Sequence, residues 1–131
     1  MSSNILEKLK ITKHEKRAII NSPQEFNDIL KEFTGEFDTQ IKGKYGYIQI
    51  FITSQSDIIQ NGQLLVNAID GNGYLWVCYP KGTSKKYKKL DCNRDTLREA
   101  IVQYGFEGVS LISIDPDWSA MRFRNLIFVG K

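Results

Sequence analysis

Short apolar runs alternate with amphipathic stripes along this chain, and the alternation predicts an α/β fold. Runs such as residues 47–52 (YIQIFI) and 74–79 (YLWVCY) are almost continuously apolar and rich in aromatic and β-branched side chains. This composition is typical of strands that are buried on both faces. In chain order, the six predicted strands cover residues 17–21, 36–41, 47–52, 74–79, 109–114 and 118–128.

Amphipathic stripes between these strands predict helices. Residues 22–25 (SPQE) place Ser at the N-cap, Pro at N1 and Glu at N3 of the first helix after a strand. These positions form a capping box with proline at its favoured position. The candidate N-caps of the two later helices are Ser54 or Ser56, and Asp91 or Asn93.

Alternating strands and helices favour a mainly parallel sheet with helices on both faces, a three-layer Rossmann-like architecture. Residues 115–117 (DPD) form a connection too short for a crossover, so the last strand should run antiparallel to the one before it. No repeat or linker interrupts the pattern, and we expect residues 1–131 to form a single α/β domain.

Composition agrees with this interpretation and adds a cellular address. Of the 131 residues, 41% are hydrophobic and 25% are charged, which is the profile of a soluble globular chain. No apolar run approaches the length of a membrane span, and residues 1–11 carry charges where a signal peptide needs an apolar core. We therefore expect a cytoplasmic protein with no membrane partner.

The net charge of +3 is unevenly distributed. Residues 79–131 contain ten basic and six acidic side chains, a local balance of +4. A basic cluster of this kind attracts a small anion or an acidic protein partner, but a charge this small does not require nucleic acid. The lysines that make up the cluster are Lys81, Lys85, Lys86, Lys88 and Lys89.

The residues that usually carry metal or nucleophilic chemistry are sparse. The chain has two cysteines, Cys78 and Cys92, and one histidine, His14. These are too few and too scattered for a zinc site, and no GxSxG turn accompanies them. The sequence therefore predicts no metal site, no disulfide and no catalytic residue, and it assigns no cofactor.

Two motifs near the C-terminus resemble those of an uncharacterised bacterial protein family. The motifs are YPK at residues 79–81 and WSAMRFR at residues 118–124. The order of the predicted elements is also similar to a shortened methyltransferase-type Rossmann fold. Numbering the six predicted strands along the chain, this resemblance implies the sheet order 2-1-3-4-6-5.

The same resemblance weighs against S-adenosylmethionine as a ligand. A methyltransferase is expected to have glycines after its first strand, whereas residues 21–24 read NSPQ. It is also expected to have an acidic residue after its second strand to hold ribose hydroxyls, whereas residues 41–43 read IKG. We therefore expect no binding of S-adenosylmethionine at physiological concentration.

Open α/β sheets bind ligands at the carboxyl ends of their parallel strands. The basic loop leaves that edge after residue 80, and the last strand begins there, so residues from both should converge. Two structural explanations remain open: the lysine loop could be plain solvated surface, and Trp118 could simply fill the core. The candidate ligand-binding residues are Tyr79, Lys81, Ser84, Lys85, Asp115, Trp118 and Ser119.

These observations favour a non-catalytic binding or interaction module with a small-anion or acidic-partner site at the carboxyl edge of the sheet. One alternative is a degenerate nucleotide-type transferase related to methyltransferases. Another is a weak nucleic-acid binder, in which Tyr87 stacks on bases between lysines. One lysine-rich loop is a weak signal for that last function, so nucleic acid is the least favoured partner.

Overall fold

The computed structural model describes residues 3–87 and 93–129. Its helices and strands alternate along the chain, as expected for an α/β fold. In chain order they are α1 (Ser3–Leu9), a 3-10 helix (Ile11–Lys13), β1 (Arg17–Ile20), α2 (Gln24–Leu30), β2 (Tyr45–Phe51), α3 (Gln55–Ala68), β3 (Ile69–Pro80), α4 (Arg94–Val102), β4 (Phe106–Ser113), β5 (Trp118–Asn125) and a second 3-10 helix (Leu126–Phe128).

The five strands form one mixed sheet in the order β1-β2-β3-β5-β4. β1, β2 and β3 are parallel, and β5 lies antiparallel between β3 and β4. The predicted Rossmann-like α/β class and the antiparallel last strand are therefore confirmed. The observed order is also the predicted order with one strand removed.

The prediction of six strands is wrong, because residues 36–41 do not form a strand. Only Asp38 makes a bridge, parallel to Ala18 of β1. Its carbonyl accepts from the Ile19 amide at 2.8 Å, and its own amide donates to the Arg17 carbonyl at 2.9 Å. The chain must return to the start of β2 at Tyr45 within seven residues, which leaves no length for further pairing.

Each face of the sheet buries its own core, so the predicted three layers are present. α3 and α4 cover one face, with Ile58, Leu65, Leu97 and Ile101 buried beneath them. α1 and α2 cover the other face. Trp76 of β3 is buried there, and its Nε1 donates to the Leu9 carbonyl at 2.9 Å.

Local capping differs from the sequence prediction at α2 and agrees with it at the later helices. α2 has Pro23 at its N-cap and no side-chain cap, because the Ser22 hydroxyl donates to Asn27 instead. Ser54 caps α3, and Asn93 caps α4. Asp91, the other candidate cap for α4, lies outside the described residues.

The start of β3 also differs from expectation. Residues 70–73 read DGNG, and their glycines and Asx residues predict a turn. They belong instead to β3, which follows α3 without a loop. Tyr45 pairs with Ile69, whereas Tyr47 pairs with Tyr74, so the extra residues of β3 bulge out. Gly71 has a φ of 56° within this bulge, where a side chain would be strained.

The topology fixes where a ligand would bind. After β1 the chain passes outward through α2 to the bridge at Asp38, and it then returns inward to β2. The crevice between the carboxyl ends of β1 and β2 is thus the switch point of the sheet. We refer to the edge where β1, β2 and β3 end as the carboxyl edge, and to the opposite one as the amino edge.

Within residues 3–87 and 93–129, no helix is long and apolar enough to cross a bilayer.

Candidate functional site

The structure brings the two C-terminal motifs together at the carboxyl edge. Tyr79 of β3 pairs with Ser119 of β5, and Pro80 pairs with Trp118. The Lys81 amide then donates to the Asp117 carbonyl at 2.8 Å, which extends the contact beyond the strands. Antiparallel pairing therefore places the end of β3 directly beside the start of β5.

The candidate residues nevertheless divide between the two faces of the sheet. Trp118 is buried in the core beneath α1 and α2, whereas its neighbour Ser119 lies on the opposite side, because successive strand residues alternate. On that opposite side, next to the start of α4, is a cavity of about 350 Å³. Its lining includes Tyr79, Lys81, Thr83, Arg94, Leu111 and Ser119.

Cationic and hydroxyl groups meet in this cavity, which we name the basic cavity. Lys81 Nζ donates to Ser113 Oγ at 2.5 Å, so its ammonium group is held near the end of β4 and the start of β5. Arg94 stands 3.9 Å from Asp95, which also lines the cavity, and both side chains are largely exposed. Two cations and hydroxyl groups beside one carboxylate leave a net positive site that suits a small anion.

On the other face, three side chains close around the carboxylate of Glu25. Trp118 Nε1 donates to Glu25 Oε2 at 2.9 Å, and the Tyr87 hydroxyl donates to the same oxygen at 2.8 Å. Lys86 Nζ lies 3.0 Å from Oε1. The Trp118 ring meets Tyr87 and Phe51 edge to face, at centroid distances of 4.9 and 5.1 Å.

These contacts determine the ionisation of Glu25. Burial alone would raise its pKa, but hydrogen bonds from Trp118, Tyr87 and Lys86 outweigh that effect and lower the pKa to about 2. The carboxylate is therefore ionised across the physiological range. The hydrogen bond between Lys86 and Glu25 raises the pKa of Lys86, so both side chains stay charged.

Ser84 and Asp115 have internal partners. Ser84 is buried, and its hydroxyl donates to Asp117 Oδ1 at 2.7 Å while it accepts from the amides of Lys86 and Tyr87. Asp115 Oδ1 accepts from the amides of Asp117 and Trp118, both at 2.8 Å. These two candidate residues therefore organise loops. Lys85 is exposed and is not among the residues that line the basic cavity.

Sequence reasoning missed the polar residues at the switch point. Asn21, directly after β1, adopts the left-handed conformation with a φ of 58°. At the end of β2, the Thr53 amide donates to Asp57 Oδ2 at 3.2 Å, and Ser54 and Ser56 share a hydrogen bond of 3.0 Å. Asn was a usable signal at residue 21, because it tolerates the left-handed region better than other non-glycine residues.

Asp38 is the acidic residue at the bridge that stands in place of the predicted strand over residues 36–41. Its Oδ2 accepts a hydrogen bond of 2.5 Å from the Tyr45 hydroxyl, at the start of β2 and hence near the amino edge. Hydrogen bonding to Asp38 contributes, after burial, to raising the pKa of Tyr45. Asp38 therefore stabilises local structure. It lies near the amino edge, whereas the switch point is at the carboxyl edge.

Of the scarce cysteine and histidine residues, the structure describes Cys78 and His14. Cys78 is free and buried, and burial raises the pKa of its thiol. Cys92 lies outside the described residues. His14 packs edge to face on Tyr74, and burial lowers its pKa. Within residues 3–87 and 93–129, no group of three or more His, Cys, Asp or Glu side chains could hold a metal ion.

No protein-family model and no curated protein matches the sequence. Solved structures do match the fold. The N-methyltransferase NodS from Bradyrhizobium japonicum WM9 shares 11% identity with a TM-score of 0.61, covering 95% of this chain and 93% of NodS. An S-adenosylmethionine-dependent methyltransferase from Clostridium acetobutylicum shares 7% identity with a TM-score of 0.57, covering 95% of this chain and 90% of that protein. The B. subtilis tRNA methyltransferase TrmK shares 7% identity with a TM-score of 0.59, covering 95% of this chain and 64% of TrmK.

At these identities the likeness establishes a methyltransferase-like Rossmann fold. It also contradicts the main functional prediction, a non-catalytic binding or interaction module, because enzymes share the fold across nearly the whole chain. The alternative of a transferase related to methyltransferases is better supported. The prediction gave too much weight to the missing glycine turn, since Asn21 adopts the left-handed conformation that a glycine would supply.

Proposed function

We propose that this chain is a transferase related to methyltransferases, and that it binds a nucleoside-bearing donor at the crevice between the carboxyl ends of β1 and β2. The observation that carries the proposal is the sheet order, which puts a switch point at that crevice. Ligands of open α/β sheets bind at such points. The fold shared with methyltransferase structures makes group transfer the best supported reaction class.

The backbone conformation of the turn after β1 supports the proposed donor site. Asn21 reverses the chain with a φ of 58°, so the backbone can turn tightly at the end of the strand without glycine. Ser22 and Asn27 hydrogen-bond to each other at 2.7 Å and keep this turn in place. The turn therefore provides one of the two features that a nucleoside site of this fold needs.

The second feature, a carboxylate for ribose hydroxyls, does not fit. Asp38 is bonded to Tyr45 near the amino edge, and the Glu25 carboxylate is bonded by Trp118, Tyr87 and Lys86. The described residues thus do not fit S-adenosylmethionine in the manner expected for this fold. We name the donor by its nucleoside class, and weak or absent binding of S-adenosylmethionine itself remains our expectation.

We assign the acceptor to the basic cavity. Lys81 and Arg94 supply positive charge there, and Thr83 and Ser119 supply hydroxyl groups. A volume of about 350 Å³ suits a small molecule, and the charges favour one that carries a carboxylate or phosphate. This assignment keeps Tyr79, Lys81 and Ser119 as ligand-binding residues and adds Arg94.

The motifs that resemble the bacterial family support a shared site. Residues 79–81 and 118–124 are far apart in the chain, yet Tyr79 and Ser119 pair in the sheet and line one cavity. A family that keeps both motifs would keep this edge. We propose that its members use it for the same class of acceptor.

Chemical-shift mapping tests the donor site. S-adenosylhomocysteine and ATP, added separately to millimolar concentration, should shift the amides of Asn21, Ser22, Thr53 and Ser54 if nucleosides bind at the crevice. Asn21→Ala should weaken these shifts, because the turn loses its preferred residue, whereas Asn72→Ala at the amino edge should not. The proposal is wrong if neither compound causes shifts that cluster at the crevice.

A further inference from the structure

We propose that residues 81–87, which we name the strap, form a gate that Glu25 holds closed across the carboxyl edge, and that a donor must release the strap to enter. The identity of the donor rests on the proposed function, whereas the gate itself follows from contacts. The strap starts at the end of β3 and ends on the first turn of α2. Between these two points the strap contacts Asp117 and Trp118, where β5 begins.

One end of the strap is anchored. The Lys81 amide donates to the Asp117 carbonyl at 2.8 Å, and Ser84 Oγ donates to Asp117 Oδ1 at 2.7 Å. Ser84 is buried and also accepts from two strap amides, those of Lys86 and Tyr87. Any opening would therefore move the far end of the strap about this anchor.

Apart from the Ser84 hydroxyl within the strap itself, one carboxylate accepts the hydrogen bonds that the structure describes for the far end. Glu25 receives both strap contacts, from Lys86 at 3.0 Å and from Tyr87 at 2.8 Å. The Lys86 side chain is 57% exposed, so solvent screens its ion pair and leaves it weak. The Tyr87 hydroxyl and its edge-to-face contact with Trp118 provide the remaining hold. A latch of so few contacts can open without unfolding the sheet.

The latch also lies beside the proposed donor crevice. Glu25 stands four residues after Asn21, at the start of the helix that follows the turn. Beneath the latch, the Trp118 ring contacts Phe51, the last residue of β2. A donor that seats on the ends of β1 and β2 would therefore lie beside the far end of the strap and displace or reposition it.

Limited trypsin digestion of the native protein measures opening directly, because the strap contains Lys85 and Lys86. Glu25→Gln removes the ionised acceptor, and Tyr87→Phe removes one donor while it keeps Glu25. We expect cleavage in the strap to become about tenfold faster in each variant, the effect of one hydrogen bond to a charged group. Asp28→Asn removes an exposed carboxylate of the same helix and should change nothing.

Calorimetry with S-adenosylhomocysteine and, separately, with ATP on the wild type and Tyr87→Phe tests gating of the crevice. If closing competes with binding, affinity should rise with the open fraction, again about tenfold. Equal binding by both proteins would refute the gate and leave the proposed function standing. Faster cleavage with no binding by either would refute the proposed donor site. Unchanged cleavage in both variants, with melting temperatures close to wild type, would refute the latch.

Discussion

The two faces of the carboxyl edge differ in how their polar groups are used. Beneath α1 and α2, the Glu25 carboxylate is saturated by Trp118, Tyr87 and Lys86. On the other face, Lys81 and the largely exposed Arg94 line an open cavity. The first arrangement uses its charges in internal contacts, whereas the second presents cations at an open surface.

The difference originates in the alternation of side chains at the start of β5, where two adjacent residues face opposite sides of the sheet. Trp118 and Ser119 are neighbours in sequence, yet one fills a core and the other faces the basic cavity. A single motif can therefore build a structural contact and a ligand contact. Substitutions on the first face should lower stability, whereas substitutions on the second should lower binding.

The largest effect should come from Trp118→Ala. The side chain is only 2% exposed and contacts Phe51, Tyr87 and Glu25, so its removal leaves a cavity and takes one hydrogen-bond donor from the carboxylate. We expect a loss of about 3–5 kcal/mol in the free energy of unfolding. Trp118→Phe should lose less, because the ring remains. Chemical denaturation measures both, and equal losses would contradict this division.

Sequence reasoning identified this edge of the sheet better than it identified the contacts there. Apolar runs and one short turn predicted the strands and the antiparallel last pair, because buried strands and their connections leave local signals, whereas the sheet order followed from the resemblance to a methyltransferase-type fold. The pairing of Glu25 with Trp118 spans 93 positions, and no local pattern signals it. Ser22 and Glu25 instead suggested a capping box, which the structure lacks because Ser22 donates to Asn27 and Glu25 accepts from Trp118.

The failed strand at residues 36–41 has a related cause. Its sequence is compatible with a strand, but its length is limited by the return to Tyr45. The bridge at Asp38 is the part that fits. Tertiary geometry therefore overrode a local preference, as it did at residues 70–73, where two glycines suggested a turn inside β3.

A smaller loss is expected for Glu25→Gln, about 2 kcal/mol, because charge-assisted hydrogen bonds become neutral ones. The effect should depend on pH. The pKa of Glu25 is lowered from 4.5 to about 2, so its contribution is complete above pH 4.5 and is lost as the pH falls towards 2. The difference in unfolding free energy between wild type and variant, measured from pH 7 to pH 3, should therefore shrink below pH 4.5. A constant difference would show that ionisation of Glu25 is irrelevant.

Asn21→Ala should lose about 1 kcal/mol, because alanine is strained at a φ of 58°. Asn21→Gly is the matched control, since glycine adopts this conformation freely and should keep wild-type stability. Thermal unfolding of the two variants separates backbone strain from side-chain loss. If both variants lose stability equally, the side chain of Asn21 matters more than its conformation.

The smallest effect on stability and a large one on binding should come from Lys81→Ala combined with Arg94→Ala. Both residues line the basic cavity, and Arg94 is largely exposed, so we expect a change within about 0.5 kcal/mol. Binding of inorganic phosphate, followed by chemical shifts at Thr83 and Ser119, should disappear. Lys85→Ala is the control, because Lys85 is exposed outside the cavity lining. Phosphate should also bind more weakly as salt rises, since exposed charges are screened over about 8 Å at physiological ionic strength. If the double variant binds phosphate as well as Lys85→Ala does, the basic cavity is not the anion site.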